Sequence, residues 1–306
     1  MSIFNNLSNT TLLEYDPKTR KTIACGGSYS VALKNDGTIK TWGNNDYNQL
    51  LDSPTDAGYI AIACGLNHSL ALHSDGTIKT WGNNNRDQRM DSPTIPLIPG
   101  LAESFIAIAC GQNHSVALRN NGTIKTWGSN EKNERDDSPT DVGYIAIACG
   151  ASHSVALRNN GTIKTWGSNQ YNQRIDSPTD DGYITIACGY NHSVALRNDG
   201  TIKTWGDNIV NERDDSPTDA GYIAIACGYE HNVALRNDGT IKTWGSNRYN
   251  ERDDSPTDDG YIAIACGRQH SVALRNDGTI RTWGHNHFNQ RGDSPTDDGY
   301  IAIACG

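Results

Sequence analysis

Phenylalanine and methionine are almost missing from this chain, with 3 and 2 residues among 306. The apolar content, 36%, is also low for a globular protein, which a fold of many short strands and turns tolerates because each strand needs few buried residues. No apolar stretch approaches the roughly 18 residues of a membrane-spanning helix. No charged start followed by an apolar run opens the sequence, so no classical signal peptide is expected. No run of lysine or arginine occurs, and the net charge is −9. That balance argues against phosphate-driven nucleic-acid binding and suits a basic patch on a partner. No stretch has a helical period. No nucleophile–base pair, metal-ligand cluster or phosphate loop stands out. The expectation is a protein without enzymatic activity and without a cofactor.

What the chain does have is repetition, which must be read before anything else. Trp42, Trp81, Trp127, Trp166, Trp205, Trp244 and Trp283 lie 39 residues apart, except for one interval of 46. The cysteines repeat in step. One seven-residue insertion therefore lies within residues 92–105. Each unit starts with a short apolar, β-branched run ending in Ala-Cys-Gly, which reads as a strand buried on both faces. A second strand, His-Ser-Val-Ala-Leu-Arg, follows two residues later. Asn-Asp-Gly then supplies the positive φ of a hairpin turn, and Thr-Ile-Lys-Thr-Trp is the third strand. Ser-Pro-Thr-Asp leads to the next unit as a loop, since proline is kept out of central strands.

All-β units of this length are propeller-sized, and seven hairpins imply an all-β, seven-bladed β-propeller. The first strand occurs eight times, which suggests that the N- and C-terminal strands pair to close the ring. In the N-terminal copy Arg20 and Lys21 replace Tyr and Ile, and burying an unpaired Lys is costly. The C-terminal copy, with Ile301, is therefore expected in the buried closing position and Lys21 at an edge. The domain reading is an N-terminal extension over residues 1–19 and one propeller over 20–306.

The eight cysteines share one repeat position, with side chains that do not converge as a disulfide requires. They are expected to be buried, reduced thiols in a cytoplasmic protein, or one delivered into a host cytosol. His68, His114, His153, His192, His231 and His270 also share a position, which Tyr29 fills in the first unit. They are read as fixing the turn between the first two strands, not as a metal ring. The tryptophans are read as inter-blade packing. The repeated acids are read as turns and solvated groups, not calcium ligands.

Residues that differ between units carry more information. Two positions follow Cys-Gly, and they hold Leu66, Gln112, Tyr190, Tyr229 and Arg268 in separate repeats. Two more follow Trp-Gly-x-Asn. They hold Tyr47, Arg86, Glu131 with Lys132, Tyr171, Ile209 with Val210, Arg248 with Tyr249, and His287 with Phe288. Strand direction puts both sets on one face of the propeller and the near-constant hairpins on the other. Exposed aromatic, aliphatic and arginine side chains favour a protein-binding surface. Neutral drift after duplication competes with this reading. The exposed Asn-Asp-Gly turns stay nearly constant, which opposes drift. Position 57 and its equivalents also vary, which supports it. The insertion adds Ile95, Leu97 and Ile98 on a proline-rich loop, a second candidate contact.

The pattern Ala-Cys-Gly-x-x-His-Ser-x-Ala-Leu-x-x-Asp-Gly with Thr-Trp-Gly-x-Asn resembles the repeat of the regulator of chromosome condensation family, over about residues 21–306. The resemblance implies a seven-bladed propeller. Members of that family include an exchange factor for a nuclear GTPase, a plant ultraviolet photoreceptor, a bacterial inhibitor of β-lactamases and bacterial effectors, so fold does not choose the function. The repeat here is short. Its usual Gly-Gln-Leu-Gly ending is replaced, for example by Asn-Glu-Arg-Asp at 250–253. The photoreceptor's Gly-Trp-Arg-His-Thr pattern is absent, and no catalytic residue of the exchange factor can be matched. The resulting expectation is a monomeric scaffold for a protein partner, a small GTPase being one candidate, with no nucleic acid and no membrane. Guanine-nucleotide exchange and inhibition of an enzyme are the alternatives.

Overall fold

The computed structural model describes residues 23–89, 104–287, 296–300 and 303. Its strands run from β1 (Ile23–Cys25) to β21 (Ile280–Gly284) and form seven three-stranded antiparallel sheets, each taken from consecutive strands. One repeat makes one blade, and the protein is an all-β, seven-bladed propeller. Blade 4 shows the pattern with β10 (Tyr144–Cys149), β11 (His153–Arg158) and β12 (Ile163–Gly167). Ala148 pairs with Val155, and Val155 with Thr165. In the hairpin, Asn160 Oδ1 accepts both the N–H and the hydroxyl of Thr162. Gly161 has φ of 80°, and a Cβ there would lie 2.7 Å from the backbone nitrogen of Gly182 in the next blade. Glycine is thus required twice over.

Alternation puts Val155 and Leu157 on one face of blade 4. They pack against Tyr183, Ala195 and Trp205 of blade 5. The same set recurs at neighbouring junctions. Burying each such Val or Leu contributes about 1.5–3 kcal/mol. The indoles complete the junctions: Trp81 Nε1 donates to Gln49 O at 2.9 Å, and Trp244 Nε1 to Glu212 O at 2.9 Å. Six tryptophans are at most 1% exposed, as inter-blade packing requires, whereas Trp42 of blade 1 is 46% exposed. Arg20, Lys21 and Ile301, on which the ring-closure expectation rests, lie outside the described residues.

Three expectations are corrected. The first strand of each unit is not buried on both faces. First strands of successive blades lie against one another at the centre, and among the described residues each is hydrogen-bonded to a strand on one edge only. Ile184 is accordingly 50% exposed. The buried strand is the middle one, such as His192–Arg197, in which all but Arg197 are buried; it has a strand on each edge and a blade on each face. The described cysteines form no disulfide with one another and are half-buried, because they sit on that innermost strand. Burial still pushes the Cys188 thiol up to about 12, so it stays protonated and unreactive.

The histidines do not tie their own turn. His114 Nε2 is 2.8 Å from Ser154 Oγ and His153 Nε2 is 2.8 Å from Ser193 Oγ, each in the next blade. Tyr29 does the same job differently. Its hydroxyl donates to His68 O at 2.5 Å and accepts from Ser69 Oγ at 2.9 Å. The shared position is a staple between blades. Sequence spacing did not reveal it because the partner lies about one repeat away.

Candidate binding face

The residues after Cys-Gly form a backbone series around the centre. The N–H of Gly27 donates to Leu66 O, Leu66 to Gln112, Gln112 to Ala151, Ala151 to Tyr190, Tyr190 to Tyr229, and Tyr229 to Arg268, at 2.9–3.1 Å. Each blade thus places one such residue at a fixed interval, although Gly27 has no side chain and Ala151 is buried. The carbonyl of the following residue binds the outer loop of its own blade. Asn191 O accepts the Asp207 N–H at 3.0 Å, and Glu230 O accepts the Ser246 N–H at 2.8 Å. Both variable sets therefore share one face, as strand direction predicted.

The outer loops have a common frame. Gln49, Gln88, Glu134, Gln173, Glu212 and Glu251 are buried. Their side-chain oxygens accept the backbone N–H groups of Tyr47, Arg86, Lys132, Tyr171, Val210 and Tyr249 at 2.7–3.0 Å. Asn or Asp at the residue between takes φ of 60–63°, a left-handed conformation these side chains tolerate. Asn169 Oδ1 accepts the Arg174 N–H at 2.9 Å. Burial pushes the Glu212 carboxyl up, and Asp207 and Glu230 add to this. In the sequence this Gln/Glu stands out only as part of a departure from the usual repeat ending. A Gln or Glu seven residues after each Trp, beside a pair that keeps changing, was the available signal.

The side chains on this frame fall into two sectors. In blades 5–7, Tyr190 and Tyr229 stack with centroids 4.0 Å apart and planes at 22°. Arg268 lies over Tyr229 at 4.8 Å. The Tyr190 hydroxyl reaches Gln112 Oε1, two blades away, at 3.4 Å. Burial, followed by the adjoining Tyr190 hydroxyl, holds the Tyr229 phenol up near about 12. On the outer ring Ile209 is 75% exposed, beside half-buried Val210 and, one blade on, exposed Arg248. Tyr249 meets His285 edge-on at 4.4 Å, and His285 lies 6.0 Å from His287. His285 was not among the expected contacts. Exposed Tyr171 borders this sector from blade 4. In blades 2 and 3, Arg86 is neutralised by an ion pair with Glu131, beside Lys132, Gln112 and exposed Leu66. Tyr47 of blade 1 is exposed as well. Ile95, Leu97, Ile98 and Phe288 lie outside the described residues.

The opposite face uses its side chains on one another. The Tyr183 hydroxyl donates to Asp180 Oδ1 at 2.9 Å, Arg197 pairs with Asp180, and the same guanidinium covers the Tyr183 ring at 4.9 Å. Blades 4, 6 and 7 repeat this clasp.

A search of curated proteins gave no match. Among solved structures, the ectodomain of the receptor kinase CR4 from Physcomitrella patens superimposes with a TM-score of 0.66 at 19% identity, covering 86% of this chain and 73% of that one. Human WBSCR16 gives 0.63 at 19% identity, over 83% and 85%. Prp20p from Saccharomyces cerevisiae, studied with its binding properties to Gsp1p and histones, gives 0.62 at 23% identity, over 81% and 80%. These likenesses establish the fold. The family model of the RCC1-like domain matches residues 9–251, and that of the regulator of chromosome condensation (RCC1) repeat matches residues 261–290. With most of its length matched in this way, the chain belongs to the RCC1-like domain family.

Proposed function

We propose that this protein is a non-enzymatic scaffold that holds a protein partner on its variable loop face. The observation that carries this reading is the backbone series from Gly27 to Arg268. It fixes the position of one changeable residue per blade without using its side chain. The buried Gln/Glu frame does the same for the outer loops. Rigid loops bearing exposed tyrosine, isoleucine and arginine lose little entropy on binding, and function concentrates on such loops.

The test replaces every variable pair with the residues commonest at that position in the other blades. The replaced protein should keep its urea midpoint, because strands, turns and loop frame are untouched. A partner captured by the native protein should be lost with the replaced one. Equal capture by both would overturn the reading. Exchange on a small GTPase is the second reading, prompted by the similarity to Prp20p and its binding of Gsp1p. Nucleotide release from a panel of small GTPases tests it. Acceleration by the native but not the replaced protein would make exchange the function of this face.

A further inference from the structure

The variable face is uneven, and its unevenness describes what it fits. Three successive inner positions, in blades 5, 6 and 7, form one column: Tyr190 on Tyr229 at 4.0 Å, with Arg268 over Tyr229 at 4.8 Å. The other inner first positions are Gly27, Leu66, Gln112 and Ala151. Arg268 is therefore the sole formal charge in this inner series, in a chain whose net charge is −9. Arg268 is exposed. Among the described residues no carboxylate pairs with it, in contrast to Arg86, which Glu131 neutralises on the other side of the face.

We propose that the column seats an acidic loop of a protein partner, with an Asp or Glu carboxylate on the Arg268 guanidinium. The inference rests on the scaffold reading above and names the chemistry of the partner. A guanidinium stacked on an aromatic ring keeps its planar fork of N–H donors at its edge, and that fork matches a carboxylate with two parallel hydrogen bonds. The cation–π contact holds the fork in place before binding. Glu230, the neighbour of Tyr229 in its own pair and near enough to its phenol to raise it, repels an acid that lands on blade 6 instead of on Arg268, so like-charge repulsion also sets register. Ile209, 75% exposed on the outer ring of blade 5, gives an apolar residue of the same loop a surface to cover. The overall negative charge disfavours acidic partners elsewhere on the molecule, which makes this the one place on the inner ring where an acid gains.

The test uses a displayed library of disulfide-closed nine-residue peptides, selected on the whole protein. Enriched loops should carry Asp or Glu, with an apolar or aromatic residue nearby. Their affinity should fall at least tenfold with Arg268→Gln. It should fall by less with Arg268→Lys, which keeps the charge but loses the fork. Arg197→Gln, on the hairpin face, should leave it unchanged. Enriched loops that lack an acid, or that ignore Arg268→Gln yet are lost when the variable pairs are replaced, overturn this inference and leave the scaffold reading standing. Loops that bind the pair-replaced protein equally well overturn both, as does the absence of any enriched loop.

Discussion

The two ends of each blade solve the same problem with different parts. At the hairpin end, side chains hold one another: Asp180, Tyr183 and Arg197 form a closed set, and the Tyr183 N–H adds one backbone bond to Gly161 O. At the other end the backbone series does the holding. The supporting side chains are buried out of reach, as His192 and Gln173 are. A position whose side chain is part of the lattice cannot change without loss. A position held by its backbone can. The lesson is that repeat variation becomes useful where the scaffold needs only N–H and C=O groups.

Acid should break this arrangement most severely, and from the variable end. Five buried staples are held below the usual histidine value by desolvation: His68 and His192 at about 4, His114, His153 and His231 at about 3. The unfolded chain takes up protons near pH 6.5 and the folded one does not, so the stability these groups lend is full above that pH. It is lost progressively as pH falls from 6.5 through 4 to 3. At pH 5 each contributes a loss of about 2 kcal/mol. The urea midpoint should collapse between pH 6.5 and 5, and a flat profile would show the histidines to be solvated.

At the hairpin end, Tyr183→Ala removes a buried ring from a junction and should cost about 3–5 kcal/mol, read from urea unfolding. It should not alter affinity for a partner once folding is restored by lower temperature. Gln173→Ala sharpens the comparison, because it lies at the variable end yet belongs to the lattice. It removes the buried amide that accepts the part-buried N–H of Tyr171 and should cost about 1–3 kcal/mol. Tyr190→Ala, a few residues from His192, should be the mildest in stability, below about 1 kcal/mol, since the bonds to the neighbouring blades are made by its backbone and the bond from its hydroxyl to Gln112 is long. It should still weaken partner binding. A larger loss would mean that the aromatic stack supports the ring.

Much of the architecture was legible in the residues. The spacing of Trp42, Trp81 and their successors gave blade number, strand order and turn positions. Strand direction put Tyr190 and Ile209 on one face. Other features were hidden for a physical reason. His153 and Ser193 are a repeat apart in sequence and 2.8 Å apart in space, and nothing local in either blade announces the bond. Ile184 looked like a core residue because it is β-branched and apolar, but its exposure depends on which strand faces the centre.

The sequence by itself determined what is local or periodic: the strands, the Asn-Asp-Gly turns, the seven blades and the choice of positions that vary. Those follow from alternation, backbone preference and repetition, all of which act within one unit. Only the tertiary structure decided which strand is innermost, which polar groups staple neighbouring blades, and which variable side chains meet. Tyr190, Tyr229 and Arg268 are each 39 residues apart, and they form one column because the inter-blade hydrogen bonds bring equivalent positions together at the centre.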